Sequence, residues 1–279
     1  MMKKAILYFL LVFTSVMVNA QFYYSDIIVT KAANQRHQLN RQNKVKSIKF
    51  ASFDAENQPI EGFVSTQNFS RDFLEVNTAT TTTLTGPTLS TSWYNNKDQL
   101  IKTLDTSDGS KTQTTYQYNS SDQLSTVNSV TTSAGDFVIK EVHQWEYNGQ
   151  GKPVKMLKIK NDKDTTIVRF VLDEKGNPAE EKSQNRGKEL PTYYYYFDES
   201  NKLTDIVRYN IVAKRLLPDY VFEYDENNRI GSMLVVPEEG SDYQKWYYSY
   251  DEDGLKILDA CYSKTKVLIA RVEYQYTYY

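Results

Sequence analysis

Tyr224-Asp225-Glu226-Asn227-Asn228-Arg229-Ile230 is the clearest copy of a short unit that recurs along the chain. In each copy an aromatic residue, or once a Leu, precedes Asp or Asn. Three positions after that Asp or Asn comes Gly, Asn or Asp, and an apolar residue usually follows two positions later. Gly, Asn and Asp adopt a positive φ more readily than other residues. The unit therefore predicts a hairpin turn between two β-strands.

The same turn is predicted eight times. From Asn95 to Thr277 the unit repeats with a mean spacing of 26 residues. The predicted turn residues are Asp54 and Asn57, Asn95 and Asp98, Asn119 and Asp122, Asn148 and Gly151, Asp173 and Gly176, Asp198 and Asn201, Asp225 and Asn228, and Asp251 and Gly254. Because Asn stands at several of the first positions, we interpret this residue as a structural cap of the turn and not as a catalytic acid or base.

Aromatic residues two positions apart precede most of the turns, as in Tyr116 and Tyr118 or in Trp145 and Tyr147. A period of two places both rings on one face of a strand. The residue between the two rings is usually polar, which indicates that the opposite face meets water. The sequence therefore predicts an all-β fold, a long antiparallel up-and-down meander of β-hairpin repeats.

The repeated unit resembles the YD repeat of Rhs-type proteins, whose core is Tyr-Asp-x-x-Gly-Arg-Leu. The closest copies are 224–230 and Phe197-Asp198-Glu199-Ser200-Asn201-Lys202-Leu203. The resemblance covers about Thr91 to Tyr279, and weakly Phe50 to Ile60. It implies a divergent YD-repeat (Rhs-like) β-repeat protein, bacterial and secreted.

The first twenty residues have the pattern of a signal peptide. Lys3 and Lys4 precede an apolar run, and Val18-Asn19-Ala20 suits a cleavage site before Gln21. No Cys at this site supports a lipid anchor, and the mature chain has no second apolar run of membrane length. We therefore predict a secreted or periplasmic protein with no integral membrane segment after cleavage.

The predicted regions are the signal peptide at 1–20, a helix and strand cap region at 21–92, and the repeat sheet at 93–279. In the cap region, Ser25 or Asp26 is expected to cap a helix that ends near Lys44. The stripe expected to face the sheet comprises Ile28, Ala32, Gln35 and Leu39. Thr78 to Thr91, which is rich in Thr and Ser, is expected to form a loop or an edge strand.

The amino-acid composition argues against several kinds of binding and catalytic site. The chain has 33 Lys and Arg against 35 Asp and Glu, so no basic field is available to bind nucleic acid. Two His and one Cys offer little material for a metal site or a Cys/His catalytic pair. We predict no cofactor, no metal site and no catalytic residue. We interpret His143, on the face of Trp145, as a packed side chain, and Cys261 as a structural thiol.

Tyrosine is the remaining lead, since the chain has 23 of them. Tyr194, Tyr196 and Tyr247 have the outward parity on their strands. Exposed aromatic rings stack on sugar rings or anchor protein partners. These three residues are therefore the candidate binding site. The alternatives are a second buried layer or the general preference of Tyr for strands.

Three functions follow from these patterns. The leading hypothesis is an exported, non-enzymatic β-repeat protein that binds a glycan, another cell-envelope component or a protein partner. The second is a carboxylate-dependent hydrolase. The third is an outer-membrane β-barrel, which is opposed by the polar residues Arg271, Glu273 and Gln275 on one face of the last strand.

Overall fold

The computed structural model describes residues 22–83, 86–107, 109–133, 135, 137–210, 213–237 and 242–279. The predicted signal peptide and its cleavage site lie outside these residues. The described residues form helix α1 (Ser25–Gln42) and 19 strands. Within these ranges no helix combines the length and apolar character that crossing a membrane requires.

The strands follow one another along the chain with short connections. They are β1 (Val45–Phe53), β2 (Val64–Phe69), β3 (Glu75–Thr82), β4 (Gly86–Tyr94), β5 (Leu100–Ser107), β6 (Ser110–Tyr118), β7 (Leu124–Thr132), β8 (Val138–Tyr147), β9 (Pro153–Lys160), β10 (Asp164–Leu172), β11 (Pro178–Asn185), β12 (Lys188–Glu189), β13 (Tyr193–Phe197), β14 (Leu203–Asn210), β15 (Arg215–Tyr224), β16 (Ile230–Val235), β17 (Gln244–Tyr250), β18 (Lys256–Ser263) and β19 (Leu268–Tyr278).

Neighbouring strands pair antiparallel in chain order, and β1 pairs with both β2 and β19. The two residues of β12 pair with β11, which also pairs with β13, so the other 18 strands form a closed ladder of hydrogen-bonded neighbours. The predicted all-β, antiparallel up-and-down fold with one N-terminal helix is confirmed, but the predicted meander is right only in part, because its strands close on themselves. Closure pairs the backbone groups that an open sheet would leave free at its two edges.

The seam that closes the sheet is visible at the end of the chain. The backbone N–H of Tyr279 donates to the carbonyl of Lys44 at 2.9 Å. The hydroxyls of Ser47 and Thr277 are 2.7 Å apart. Of the three functions predicted from the sequence, the outer-membrane barrel is therefore the one whose strand topology the structure reproduces.

The chain divides into two compact units, each with its own core. The helix unit comprises 23–49, 64–192 and 276–279, and the tyrosine unit comprises Phe22, 50–63 and 193–275 in the described part of the chain. The core of the helix unit contains Tyr23, Leu124, Trp145, Met156, Val168 and Phe170. In the tyrosine unit, the ring of Phe22 lies 5.8–6.2 Å from the rings of Tyr193, Tyr195 and Tyr220.

A buried carboxylate accepts hydrogen bonds from the backbone just before helix α1. Glu181 on β11 accepts hydrogen bonds from the backbone N–H of Tyr23 and of Tyr24, each at 2.9 Å. Tyr24 is the N-cap residue, and its side chain makes no capping hydrogen bond. The prediction that Ser25 or Asp26 caps the helix is therefore wrong, because a strand distant in sequence supplies the acceptor.

The face that α1 turns inward is polar. Its buried residues are Thr30, His37 and Asn40, whereas Ala32 and Gln35 of the expected stripe are exposed. The side chain of Asn34 accepts a hydrogen bond from the backbone N–H of Leu100 at 2.8 Å. The apolar stripe was wrong because α1 attaches to the sheet mainly through hydrogen bonds and charges.

Within the segment from Thr78 to Thr91, residues 78–82 belong to β3 and residues 86–91 to β4, with Thr78 opposite Ser90 and Ala79 opposite Leu89. The expectation of a loop or an edge strand is corrected. Thr has a high preference for strands, and here it is paired on both sides.

The eight turns share one geometry. The residue three positions after each Asp or Asn has a φ between 58° and 80°. At seven of the eight turns, the Asp or Asn side-chain oxygen accepts the backbone N–H groups two and four positions later. In seven hairpins a β-bulge immediately precedes the turn, for example between Gln117 and Tyr118. This is the turn chemistry that holds the rim of the sheet.

Consecutive hairpins are joined by tyrosine hydroxyls. The Tyr that ends one hairpin strand donates to a carbonyl just after the preceding turn. The pairs are Tyr118 with Leu100 at 2.9 Å, Tyr147 with Leu124 at 2.6 Å, Tyr224 with Leu203 at 2.8 Å and Tyr250 with Ile230 at 2.9 Å. In these four units, the Tyr therefore links the hairpin to the one before it.

Candidate binding surfaces

The candidate tyrosines lie on the outer face of the tyrosine unit. Along β13, Tyr193 and Tyr195 point inward and are 6% and 3% exposed, whereas Tyr196 points outward and is 49% exposed. Tyr194 shares the outward face and is partly buried. On β17, Tyr247 is 45% exposed beside the buried Trp246. These rings do not form a second buried layer, so they are available to a partner.

Strand register shows how far apart the tyrosines are. A cross-strand row runs from Tyr196 through Asp205, Val221 and Leu234 to Lys245, two residues before Tyr247. Four strand spacings separate Tyr196 from Lys245, which is about 19 Å at the usual strand separation. The structure therefore does not bring the three tyrosines together around one small ligand. They form two exposed points along one outer row.

Around Tyr247 the outer face carries a compact cluster. Its ring meets that of Tyr262 edge-on at 5.7 Å, and the ammonium of Lys245 lies 5.3 Å from its centre. Lys245 also pairs with Glu223 at 2.9 Å, and the hydroxyl of Ser232 donates to the same carboxylate. Sequence reasoning missed these neighbours, because Tyr262, Glu223 and Ser232 lie on three other strands and their positions depend on register.

A second exposed apolar pair was also missed. Tyr209 on β14 and Leu216 on β15 stand opposite each other and are both about half exposed. Tyr209 has the same parity as Val207, which stands opposite Tyr194. The outward parity of Tyr209 could have been read from its strand, but its partner Leu216 could not.

The inner face of the helix unit holds a charged cluster that fixes α1. Asp26 on α1 is 2.7 Å from His143 Nδ1, and it accepts a hydrogen bond from the indole N–H of Trp145 at 3.1 Å. His143 Nε2 is 3.0 Å from Glu141, which also pairs with Lys158 at 3.1 Å. Both ring nitrogens of His143 are therefore engaged, and the ring is a structural link between helix and sheet.

The electrostatics of this cluster favour a protonated imidazole. Burial lowers the pKa of His143, but Asp26 and Glu141 outweigh burial and raise it to about 9. Burial also raises the pKa of Glu141, but His143 and Lys158 outweigh burial and lower it to about 2. A histidine held as a cation by two carboxylates has no free lone pair for general-base catalysis.

His37, on α1, is held in a different environment. Its ring stacks on Tyr94 with centroids 3.6 Å apart and planes 4° apart. Burial lowers the pKa of His37 to about 4, although Asp98 lies 3.4 Å away and acts in the opposite direction. The ring is therefore neutral at pH 7 and packs as an aromatic side chain.

Cys261 is buried on β18, and burial raises the pKa of its thiol to about 12. A thiol of this kind is a poor nucleophile at neutral pH because the thiolate is the reactive form. The described residues also contain no cluster of three His, Cys, Asp or Glu side chains placed to hold a metal ion.

The chain matches no protein-family model and no curated protein. Its fold is similar to a chain of the Photorhabdus luminescens Tc holotoxin pore, with a TM-score of 0.34, 13% identity, and coverage of 77% of this chain and 12% of that one. It is also similar to a porin-like protein from Bacteroides uniformis, with a TM-score of 0.39, 10% identity, and coverage of 84% and 98%. At these TM-scores neither structural similarity indicates a function for this chain.

Assignment to the YD-repeat family is wrong. No family model matches, and the repeated hairpins close into a ring of paired strands. The resemblance arose because Tyr-Asp-x-x-Asn is a local solution to a hairpin turn: the Asp caps two N–H groups and the Asn takes a positive φ. Such a motif reports turn chemistry and carries no information on ancestry.

Proposed function

We propose that the chain is an exported β-barrel protein of the bacterial cell envelope that acts by binding. The observation that supports this proposal is the closed ladder of 18 strands, whose inner face packs a core in each unit. Export is inferred from the leader at 1–20. A closed, filled sheet is a rigid support, and its outer face is the surface left to meet a partner.

We further propose that the outer face stays in water. On β6, the outward residues are Lys111, Gln113, Thr115 and Gln117, opposite the inward Tyr116. On β19, the outward residues Arg271, Glu273 and Gln275 alternate with Ala270 and Val272, which are buried. A lysine or arginine facing lipid at the bilayer midplane costs about 2–4 kcal/mol.

Insertion in the outer membrane is the second candidate. It is supported by the closed up-and-down topology, which is the arrangement that lets strands span a bilayer without free backbone groups. Membranes of the producing cell should be washed with carbonate and extracted with detergent, and the extract should be run on gels with and without boiling. Recovery in the wash supports the water-facing barrel. Detergent-dependent recovery with heat-modifiable migration supports insertion.

The binding partner proposed for the water-facing barrel is an extended envelope polymer, and a glycan fits best. The row from Tyr196 to Lys245 spans about 19 Å and carries one aromatic, two apolar and two charged side chains. Exposed tyrosine rings can stack on sugar rings, and flanking carboxylate and ammonium groups can bond hydroxyls.

Co-sedimentation of residues 21–279 with peptidoglycan and insoluble polysaccharides, over a salt series, tests this partner. We expect salt-resistant binding to one polymer, and its loss in the double variant Tyr196→Ser/Tyr247→Ser. The matched control is Tyr278→Ser, which changes an equally exposed tyrosine of the helix unit. Equal binding by the double variant and the control would exclude the row as the binding surface.

A further inference from the structure

A groove of about 680 Å³ opens in the helix unit, between the turn that joins β4 to β5 and the turn that joins β6 to β7. Its lining includes Asn96, Lys97, Gln99, Ile101, Gln117 and Asp122. Ligand sites in proteins usually enclose roughly 300–1,000 Å³ and present a few convergent polar groups. The groove lies on residues of the helix unit alone.

The groove lies where the contacts between neighbouring turns differ from those at the next two gaps along the rim. At the next gap along the rim, the amide of Gln123 donates to the carbonyl of Gly151 at 2.6 Å. At the gap after that, the side chain of Lys152 lies against Gly176, where an added Cβ would come within 2.9 Å of it. In both cases a long side chain reaches the backbone of the neighbouring turn and fills the gap.

At the groove, Gln99 holds the position of Gln123 and Lys152, and Asp122 holds the position of Gly151 and Gly176. The carboxylate of Asp122 is therefore what the neighbouring turn meets. Lys97 Nζ lies 2.7 Å from one Asp122 oxygen, and Gln99 Nε2 lies 3.4 Å from the same oxygen. The carboxylate therefore keeps these side chains off the turn backbone. Lys97, Gln99 and Asp122 all line the groove between the two turns.

The lining selects a neutral, hydroxyl-rich ligand. Lys97 and Asp122 neutralise each other, so the groove has no excess charge with which to hold an ion. The exposed amides of Asn96 and Gln117 each offer donors and an acceptor, the combination that vicinal hydroxyls need. Ile101 is 37% exposed and gives the groove an apolar patch suited to the C–H face of a sugar ring.

We propose that this groove binds a short neutral oligosaccharide. Asn96 and Gln117 hydrogen-bond its hydroxyls from the two walls, and Ile101 contacts a ring face. The groove shares no residue with the row between Tyr196 and Tyr247, so this proposal can be tested separately from the proposed function.

The full mature chain, 21–279, is first screened on an array of neutral and acidic oligosaccharides. Calorimetry then measures its affinity for the neutral glycan that it binds most strongly. The double variant Asn96→Ala/Gln117→Ala should bind about 10-fold more weakly or worse, the effect of losing one or two hydrogen bonds. Ile101→Ser, which removes the apolar patch, should weaken binding in the same direction. Gln144→Ala, an exposed outward amide on β8, is the matched control and should bind like the parent.

Two results would overturn the proposal: no neutral glycan bound by the parent chain, or equal affinities for the parent and the Asn96→Ala/Gln117→Ala variant. Both changed side chains are exposed, so the variant should melt at the parent's temperature. The Tyr196→Ser/Tyr247→Ser variant separates the two sites. If it loses the polymer but keeps the oligosaccharide, the groove is the oligosaccharide site. If it loses the oligosaccharide, the groove is not.

Discussion

Glu181 is a single residue that determines where the helix starts. Its carboxylate is 1% exposed and accepts the N–H groups of Tyr23 and Tyr24. Glu181→Gln replaces one of the two acceptor oxygens with a donor, so we expect a loss of about 1.5–3 kcal/mol in the free energy of unfolding. Urea unfolding measures it. Glu180→Gln, which affects a surface pair with Lys182, is the control and should change stability by less than about 1 kcal/mol.

Gly151 illustrates a second residue-scale constraint. Its φ is +73°, and an added Cβ would lie 2.9 Å from the Gln123 amide that bonds its carbonyl. Gly151→Ala should therefore destabilise the chain by about 1–3 kcal/mol, as expected for a strained backbone position. The neighbouring Gly149 has no atom within 4 Å of an added Cβ, so Gly149→Ala is the matched control. Equal thermal melts for the two variants would contradict the assignment of strain to Gly151.

At the scale of the element, the hairpin is held by its terminal tyrosine. Tyr147→Phe removes the hydroxyl that donates to the carbonyl of Leu124 but keeps the ring in the core. We expect a loss of about 1 kcal/mol in the free energy of unfolding, and slightly more because a buried carbonyl loses its partner. Tyr196→Phe, on an exposed ring, should leave stability unchanged. A Tyr147→Phe variant as stable as the parent would mean that the hydroxyl bond is not a fastening between hairpins.

Hairpins were also the elements that the sequence predicted best. Asp225 and Asn228 carry the turn signal within a few residues, so local chemistry alone places the turn and the strands beside it. The helix was predicted within two residues of its end, but its inward stripe was not. That stripe is chosen by Glu181, His143 and Asp98, which stand on strands and turns far away in the sequence.

The attachment of α1 gives the protein two opposite responses to pH. The pKa of His143 rises from 6.5 unfolded to about 9 folded. Its stabilising contribution is therefore complete below pH 6.5 and is lost as pH rises to 9, on the order of 3 kcal/mol in all. The pKa of His37 falls from 6.5 to about 4, so its contribution is present above pH 6.5 and is lost as pH falls to 4.

Urea unfolding at pH 4, 6.5 and 9 checks both signs. The variant His143→Gln should lose the decline above pH 6.5 and keep the decline below it. Imidazole NMR on the folded chain should show two titrations, one near each of the stated pKa values. A His143 signal that titrates near 6.5 would show that Asp26 and Glu141 do not hold the imidazolium.

For the whole molecule, the seam between β1 and β19 is the feature that can be tested directly. A chain ending at Gln275 lacks the residues that bond to Lys44 and Ser47. We expect it to melt at a lower temperature and to associate, because β1 then presents unpaired backbone groups along one edge. Light scattering after size exclusion gives the mass. Tyr278→Ser, which changes one exposed side chain and no backbone, is the control; a monomeric truncation with an unchanged melt would show that the seam does not close the sheet.

Closure of the sheet could not be predicted from the sequence. Each hairpin is recognisable from its own turn residues, but nothing within Val45–Phe53 or Leu268–Tyr278 marks these two strands as partners. The outer row is similar: the outward parity of Tyr196 follows from its own strand, whereas its alignment with Leu234 and Lys245 depends on every register between them.

The seam has a further consequence for the order in which the chain acquires its structure. Ser47 meets Thr277 across a separation of 230 residues, whereas the other strands find their partners within one hairpin. Pairing such distant segments is slow, because closing a very long loop has a large cost in conformational entropy. The hairpins can form one after another as the polypeptide is made. The edge of β1 that pairs with β19 cannot be paired until that last strand is present. Until then one edge of β1 is unpaired, and we expect this closure to be the slowest step of folding.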